Sequence, residues 1–147
     1  MKSEINLDLL LKDIKSLDFW FDGSGAEMSI KPASYPLYIR NKKYITSAIE
    51  EIQKLTNQEA LYIMINRLGP KVEVPIHTDT LKEKVDRYHL PIITNYQSFW
   101  WDRIKGSRSL KPGIWYGPMP YWVEHSVANY GETERIHLIV DLKIMGG

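Results

Sequence analysis

Residues 60–78 read ALYIMINRLGPKVEVPIHT, and the reading of this stretch decides the fold. Two short runs rich in Ile, Val and Tyr, 60–68 and 72–78, flank the turn signal Gly69-Pro70. The same grammar continues downstream, with runs at 85–94, 97–101, 113–116, 121–128 and 134–142 separated by turn residues. Short strands with no helical pattern between them read as a β-sandwich or barrel.

Upstream of residue 60 the period changes. Leu7, Leu10, Leu11, Ile14 and Leu17 form one stripe of an amphipathic helix, with Ser3 or Asn6 as candidate caps. A loop carrying Gly23, Gly25, Pro32 and Pro36 follows. Ile45, Ala48, Ile49, Ile52 and Leu55 mark a second helix that closes near Asn57. The expected organisation is a single domain over 1–147, with helical support in 1–58 and a β-barrel core in 59–147.

Composition narrows the function classes. The 147 residues carry 44% hydrophobic and 25% charged side chains, ordinary globular usage that argues against disorder. A formal net charge of +1 provides no long-range field for nucleic acid or an anionic membrane. Without cysteine there is no disulfide framework, thiolate zinc site or thiol nucleophile. Residues 1–8 carry acids within their apolar stretch and do not read as a signal peptide. The longest apolar run, 60–65, is too short to span a bilayer, so the expected setting is cytoplasmic.

Three features carry chemistry. In His77-Thr78-Asp79 an extended backbone presents an imidazole and a carboxylate on one face. With four histidines in the chain, such a triplet has roughly a one-in-five chance of arising by accident, so alone it decides nothing. The second feature is His125 with Arg135, on either side of the turn residues Asn129-Tyr130-Gly131. A hairpin centred on Tyr130 would set these two side chains opposite each other on adjacent strands, Cβ atoms about 5 Å apart. A surface cross-strand pair has the same pattern. The third is a repeat of Arg-x-His, in Arg87-Tyr88-His89 and in Arg135-Ile136-His137, each alternating with apolar residues. Together these suggest a barrel lined on one side by cationic groups. Two histidines and a carboxylate form the facial triad that suits Fe(II). A buried cation beside it suits a dicarboxylate, which is expensive to desolvate unpaired.

At these residues the chain resembles the aspartyl/asparaginyl β-hydroxylase family of 2-oxoglutarate oxygenases. The matching pieces are 75–79 (PIHTD), 87–92 (RYHLPI), 125–129 (HSVAN) and 135–141 (RIHLIVD), so the resemblance covers roughly residues 60–142. It implies a mainly β, double-stranded β-helix (jelly-roll, cupin-like) barrel with two N-terminal supporting helices. It further implies that His77, Asp79 and His125 bind Fe(II) and are the catalytic centre. Arg135 would take the distal carboxylate of 2-oxoglutarate, and Arg87 with His89 would contact its other end or line its pocket. Some family members have glycine in place of the carboxylate ligand; Asp79 makes the set complete here. The implied reaction is oxidative decarboxylation of 2-oxoglutarate to succinate and CO2, coupled to hydroxylation of a small polar molecule or an amino-acid side chain.

Other residues carry weaker readings. Phe99-Trp100-Trp101, Trp115-Tyr116 and Tyr121-Trp122 read as core and rim packing, or as a stacking surface at the barrel mouth. Tyr62 and Asn66 share a strand face that could hydrogen-bond the co-substrate, and Asp141 reads as a structural partner. Gly106-Ser107-Arg108-Ser109 reads as a flexible loop, and the segment from Arg103 to Arg108 as a candidate carboxylate recogniser. Two competing functions share the fold: a cupin of other metal chemistry, which commonly shows HxH rather than HxD, and a noncatalytic jelly-roll module suited to carbohydrate. Neither nucleic acid nor membrane is expected as a partner.

Overall fold

The structure is a computed structural model that describes residues 1–17, 26–31, 42–81 and 84–144, with backbone alone for 26–31. Among the described residues two helices, α1 (Leu7–Lys15) and α2 (Lys43–Thr56), accompany eight strands. The strands are β1 (Ala26–Lys31), β2 (Ala60–Leu68), β3 (Val72–His77), β4 (Val85–Ile93), β5 (Ser98–Asp102), β6 (Gly106–Arg108), β7 (His125–Asn129) and β8 (Arg135–Lys143). They form two antiparallel four-stranded sheets, ordered β1-β2-β8-β4 and β3-β7-β5-β6. The fold is a jelly-roll barrel with helical support. No helix among the described residues is long and apolar enough to cross a membrane.

The helices cover one face of the first sheet. Leu10 and Ile14 of α1 and Ile45, Ile49 and Ile52 of α2 bury their stripes in one cluster with Ile63, Ile65, Leu90, Ile136, Leu138, Val140 and Leu142. Fully burying each such side chain contributes about 1.5–3 kcal/mol. Period-2 alternation then aims Asn66, Arg87, His89, Arg135, His137 and Asp141 at the opposite face, toward the second sheet. These polar side chains are all buried.

Local chemistry sets the helix ends. Asn6 caps α1, its side chain accepting the Leu9 amide at 3.1 Å. Lys42, at the start of α2, makes no side-chain cap bond. Asp13 of α1 replaces it, its Oδ2 accepting the amides of Tyr44 and Ile45. Asn57 ends α2 in the left-handed conformation, φ 54°.

Four segments depart from the sequence reading. Residues 26–31, within the stretch read as loop, form β1 and extend the first sheet along β2. Residues 106–108, read as part of a flexible loop, form β6, the edge strand beside β5. Residues 113–116, read as a strand, make only isolated bridges, Lys2 to Ile114 and His89 to Tyr116. The largest departure is at Tyr130. β7 and β8 do not pair; each belongs to a different sheet, so His125 and Arg135 are not hairpin neighbours. Asn129 explains the crossing. Its buried amide donates to the carbonyls of Leu68, Gly69 and Thr133, while Oδ1 accepts from Asn95, Ser98 and Gly131. Those bonds bend the chain out of the second sheet and into the first.

Candidate metal centre

β3 is an edge strand whose register shifts between Val74 and His77, around Pro75, which has no amide to donate. The shift sets His77 opposite His125 of β7. In each ring Nδ1 lies 2.8 Å from a backbone carbonyl two residues back, Pro75 for His77 and Val123 for His125. A carbonyl only accepts, so each Nδ1 carries the proton and each Nε2 keeps its lone pair. Asp79 lies just beyond the end of β3, its amide bonded to the Tyr121 carbonyl at 3.0 Å. Its Oδ1 is 3.5 Å from His77 Nε2 and its Oδ2 is 3.3 Å from His125 Nε2. The three donor atoms fall within 4.8 Å of one another.

This donor set fits a metal. Two imidazoles oriented by backbone carbonyls, with one carboxylate, make a facial triad of the type that suits ferrous iron. Trp100 lies flat against the His125 ring, centroids 4.9 Å apart and planes 12° apart. Its Nε1–H donates to Asp102, which also accepts the amides of Ile104 and Lys105 and a guanidinium bond from Arg108.

The triad opens onto an inner cavity of about 70 Å³ whose wall includes Asn66, Arg87, His89, Trp100 and Ile139. An outer recess of about 310 Å³, lined by Tyr62, Thr78, Thr80, Leu81 and Asp141, shares Met64, His77, Asp79 and Arg87 with it. The two arginines of the interior differ sharply. Arg87 grips Asp141 through two bonds of 2.7 and 2.9 Å and reaches Asp79 with Nη1 at 3.1 Å. Arg135, 2% exposed, donates only to neutral groups, Oδ1 of Asn66 at 2.7 Å and Nδ1 of His137 at 3.0 Å. Among the described residues no carboxylate faces it, and burial pushes its guanidinium down to about 9, still charged at neutral pH.

Burial, together with the Arg135 charge, pushes His89 and His137 well below the ordinary imidazole range, so both are neutral. Arg135 can only donate, so Nδ1 of His137 accepts. Nδ1 of His89, 3.1 Å from that same atom, must then carry its proton, which leaves His89 Nε2 as the ring's acceptor.

Of the residues singled out in the sequence, His77, Asp79 and His125 therefore converge. His89 and Asn66 line the cavity, and Arg135 lies behind that lining, bonded to Asn66. Arg87, expected at the co-substrate, is held between two carboxylates. Arg103 pairs through Nη1 with Glu124, and Arg108 through Nη2 with Asp102. Trp100 and Tyr121, read as packing or as a stacking surface, instead pack on His125 and Arg87, and Asp102 was not singled out in the sequence. The alternation Trp100-x-Asp102 is the only local signal for these two residues.

Residues 39–144 match the aspartyl/asparaginyl beta-hydroxylase family. The chain belongs to that family. Among solved structures, a prolyl-4-hydroxylase of Pseudomonas putida superposes with a TM-score of 0.54 at 13% identity, covering 99% of this chain and 91% of the other. An RmlC-like cupin protein from Desulfovibrio desulfuricans gives 0.51 at 12% identity, with 85% and 89% covered. Oxalate decarboxylase from Bacillus subtilis gives 0.51 at 12% identity, with 91% of this chain but 28% of that chain covered. At these identities the likeness concerns the barrel alone. No curated protein matches the chain.

Proposed function

We propose that this hydroxylase-family member is an Fe(II)- and 2-oxoglutarate-dependent dioxygenase acting on a small polar substrate, an amino acid or an amino-acid side chain. One observation carries the reading: a complete two-histidine, one-carboxylate set shares a barrel interior with a buried guanidinium that has no carboxylate partner among the described residues. A ferrous ion bound by His77, Asp79 and His125 would supply oxygen activation, coupling decarboxylation of 2-oxoglutarate to hydroxylation: substrate C–H, 2-oxoglutarate and O2 yield substrate C–OH, succinate and CO2.

The remaining roles belong to the chain. The Pro75 and Val123 carbonyls hold the imidazoles with Nε2 directed to the metal. Arg135 offers the charge-assisted contact that a distal carboxylate needs, and Asn66 and His137 keep its fork aimed. His89 would face the co-substrate from the cavity wall. Trp100 shields the back of His125 from water. The outer recess, with the Tyr62, Thr78 and Thr80 side chains on its rim, is sized for a small molecule or one side chain.

The test is succinate release from 2-oxoglutarate by purified protein with added ferrous iron and ascorbate. Iron-dependent release that disappears in His77→Ala and increases with the right amino acid or peptide supports the reading. Turnover of an organic substrate with a divalent metal but no consumption of 2-oxoglutarate would move the protein to cupin chemistry of another kind.

A further inference from the structure

Asp79 is the one member of the triad that no strand holds. His77 ends β3 and His125 begins β7, whereas Asp79 sits in the connection after β3, 31% exposed at its side chain. Its backbone is fixed by a single bond to the Tyr121 carbonyl. A carboxylate on a loop needs a second restraint if it is to offer one oxygen to a metal in a reproducible direction.

That restraint is present. Arg87 and Asp141 are direct Cα partners in the ladder between β8 and β4, the last strand of the first sheet. Asp141, 2% exposed, takes two of the guanidinium's bonds, and the Tyr121 ring lies 5.0 Å from its carbon. The third edge of the fork then points across the barrel to Asp79 Oδ2 at 3.1 Å. Tyr121 thus touches both ends of the arrangement, its carbonyl on the Asp79 amide and its ring on Arg87.

Charge supports the same assignment. Two carboxylates already face the Arg87 cation, so a further anion there would be repelled, whereas Arg135 faces none among the described residues. We propose that Arg87, clamped by Asp141, is a positioning residue that fixes the Asp79 carboxylate for metal binding, and that it is not an anchor for 2-oxoglutarate. The inference rests on the metal site proposed above.

Co(II) can report both affinity and coordination geometry, so cobalt titrations followed by visible absorption provide the test. Arg87→Gln should weaken Co(II) binding about 10- to 100-fold and change the absorption bands. Its affinity for 2-oxoglutarate at saturating Mn(II), measured by calorimetry, should change by less than about threefold. Arg87→Lys should restore part of the metal affinity, because an ammonium reproduces the charge but not the fork. Asp141→Asn, which loosens the clamp and leaves Arg87 in place, should weaken Co(II) in the same direction, and it carries the test if Arg87→Gln does not fold by circular dichroism. Variants with wild-type cobalt affinity and spectrum, or a loss of 2-oxoglutarate affinity of tenfold or more, overturn the proposal. A wild-type protein that binds Co(II) no better than His77→Ala removes the metal site itself, a failure distinct from that of the Arg87 assignment.

Discussion

Replacing Arg135 by Met should make the empty protein more stable while removing its hold on 2-oxoglutarate. The guanidinium is wholly buried against neutral partners, and burial brings its value down to about 9. Keeping that charge in place costs the folded state on the order of 5 kcal/mol. Methionine fills much of the same space without a charge, but it leaves Asn66 Oδ1 without its donor, a loss of about 1–3 kcal/mol. The difference leaves a net gain of about 2–4 kcal/mol, a rise in Tm of about 4–16 °C for a chain this size. Wild-type protein should gain more from added 2-oxoglutarate, because the ligand neutralises the buried charge. Losing that contact should weaken 2-oxoglutarate by about 2–4 kcal/mol, roughly 30- to 900-fold. The sign with pH follows. Between about 9 and the ordinary guanidinium range the unfolded chain binds the proton that folded Arg135 releases, so wild-type stability relative to the variant rises with pH in that window. Differential scanning fluorimetry with and without 2-oxoglutarate, at saturating Mn(II), reads all of this. An Arg135→Met protein that is less stable alone yet keeps the full ligand-induced shift would refute the reasoning.

Other outcomes follow from the same structure. Substituting His77, Asp79 or His125 by Ala should abolish iron-dependent succinate release and leave far-ultraviolet circular dichroism unchanged, since all three lie outside the main apolar cluster. Asn129→Ala should cost more than about 3 kcal/mol in urea denaturation, because it leaves buried groups of both sheets without partners. Asp13→Ala should cost only about 1 kcal/mol by removing the cap on α2, with turnover unaffected. Gly117→Ala should be poorly tolerated, because a Cβ there would lie 2.5 Å from the Tyr88 ring, and a fall in Tm would register it.

Much of the site was legible because strand periodicity is local. Arg87 with His89 and Arg135 with His137 had to share faces once their strands were recognised, and the apolar residues between them had to meet the helices. What failed depended on distant partners. Asn129-Tyr130-Gly131 has the chemistry of a tight hairpin, but the Asn129 amide is committed to Leu68 and Gly69, some sixty residues away. β6 has only Gly-Ser-Arg to show and exists because Asp102 ties the turn before it. Residues 113–116 have strand composition, but Trp115 is drawn to Glu51 of α2, and only bridges form. Arg87 was recognised as a site residue without its partner, since nothing in the sequence pairs residue 87 with residue 141. The ladder between β4 and β8 does that.

A crystal structure grown anaerobically with Mn(II) and 2-oxoglutarate tests the central claim most directly. The account predicts one metal about 2.0–2.2 Å from Nε2 of His77, Nε2 of His125 and a carboxylate oxygen of Asp79, by analogy with the bond lengths of zinc. It also predicts the distal carboxylate of 2-oxoglutarate on the Arg135 guanidinium. A metal bound elsewhere, or 2-oxoglutarate held with Arg135 still bonded only to Asn66 and His137, would contradict it.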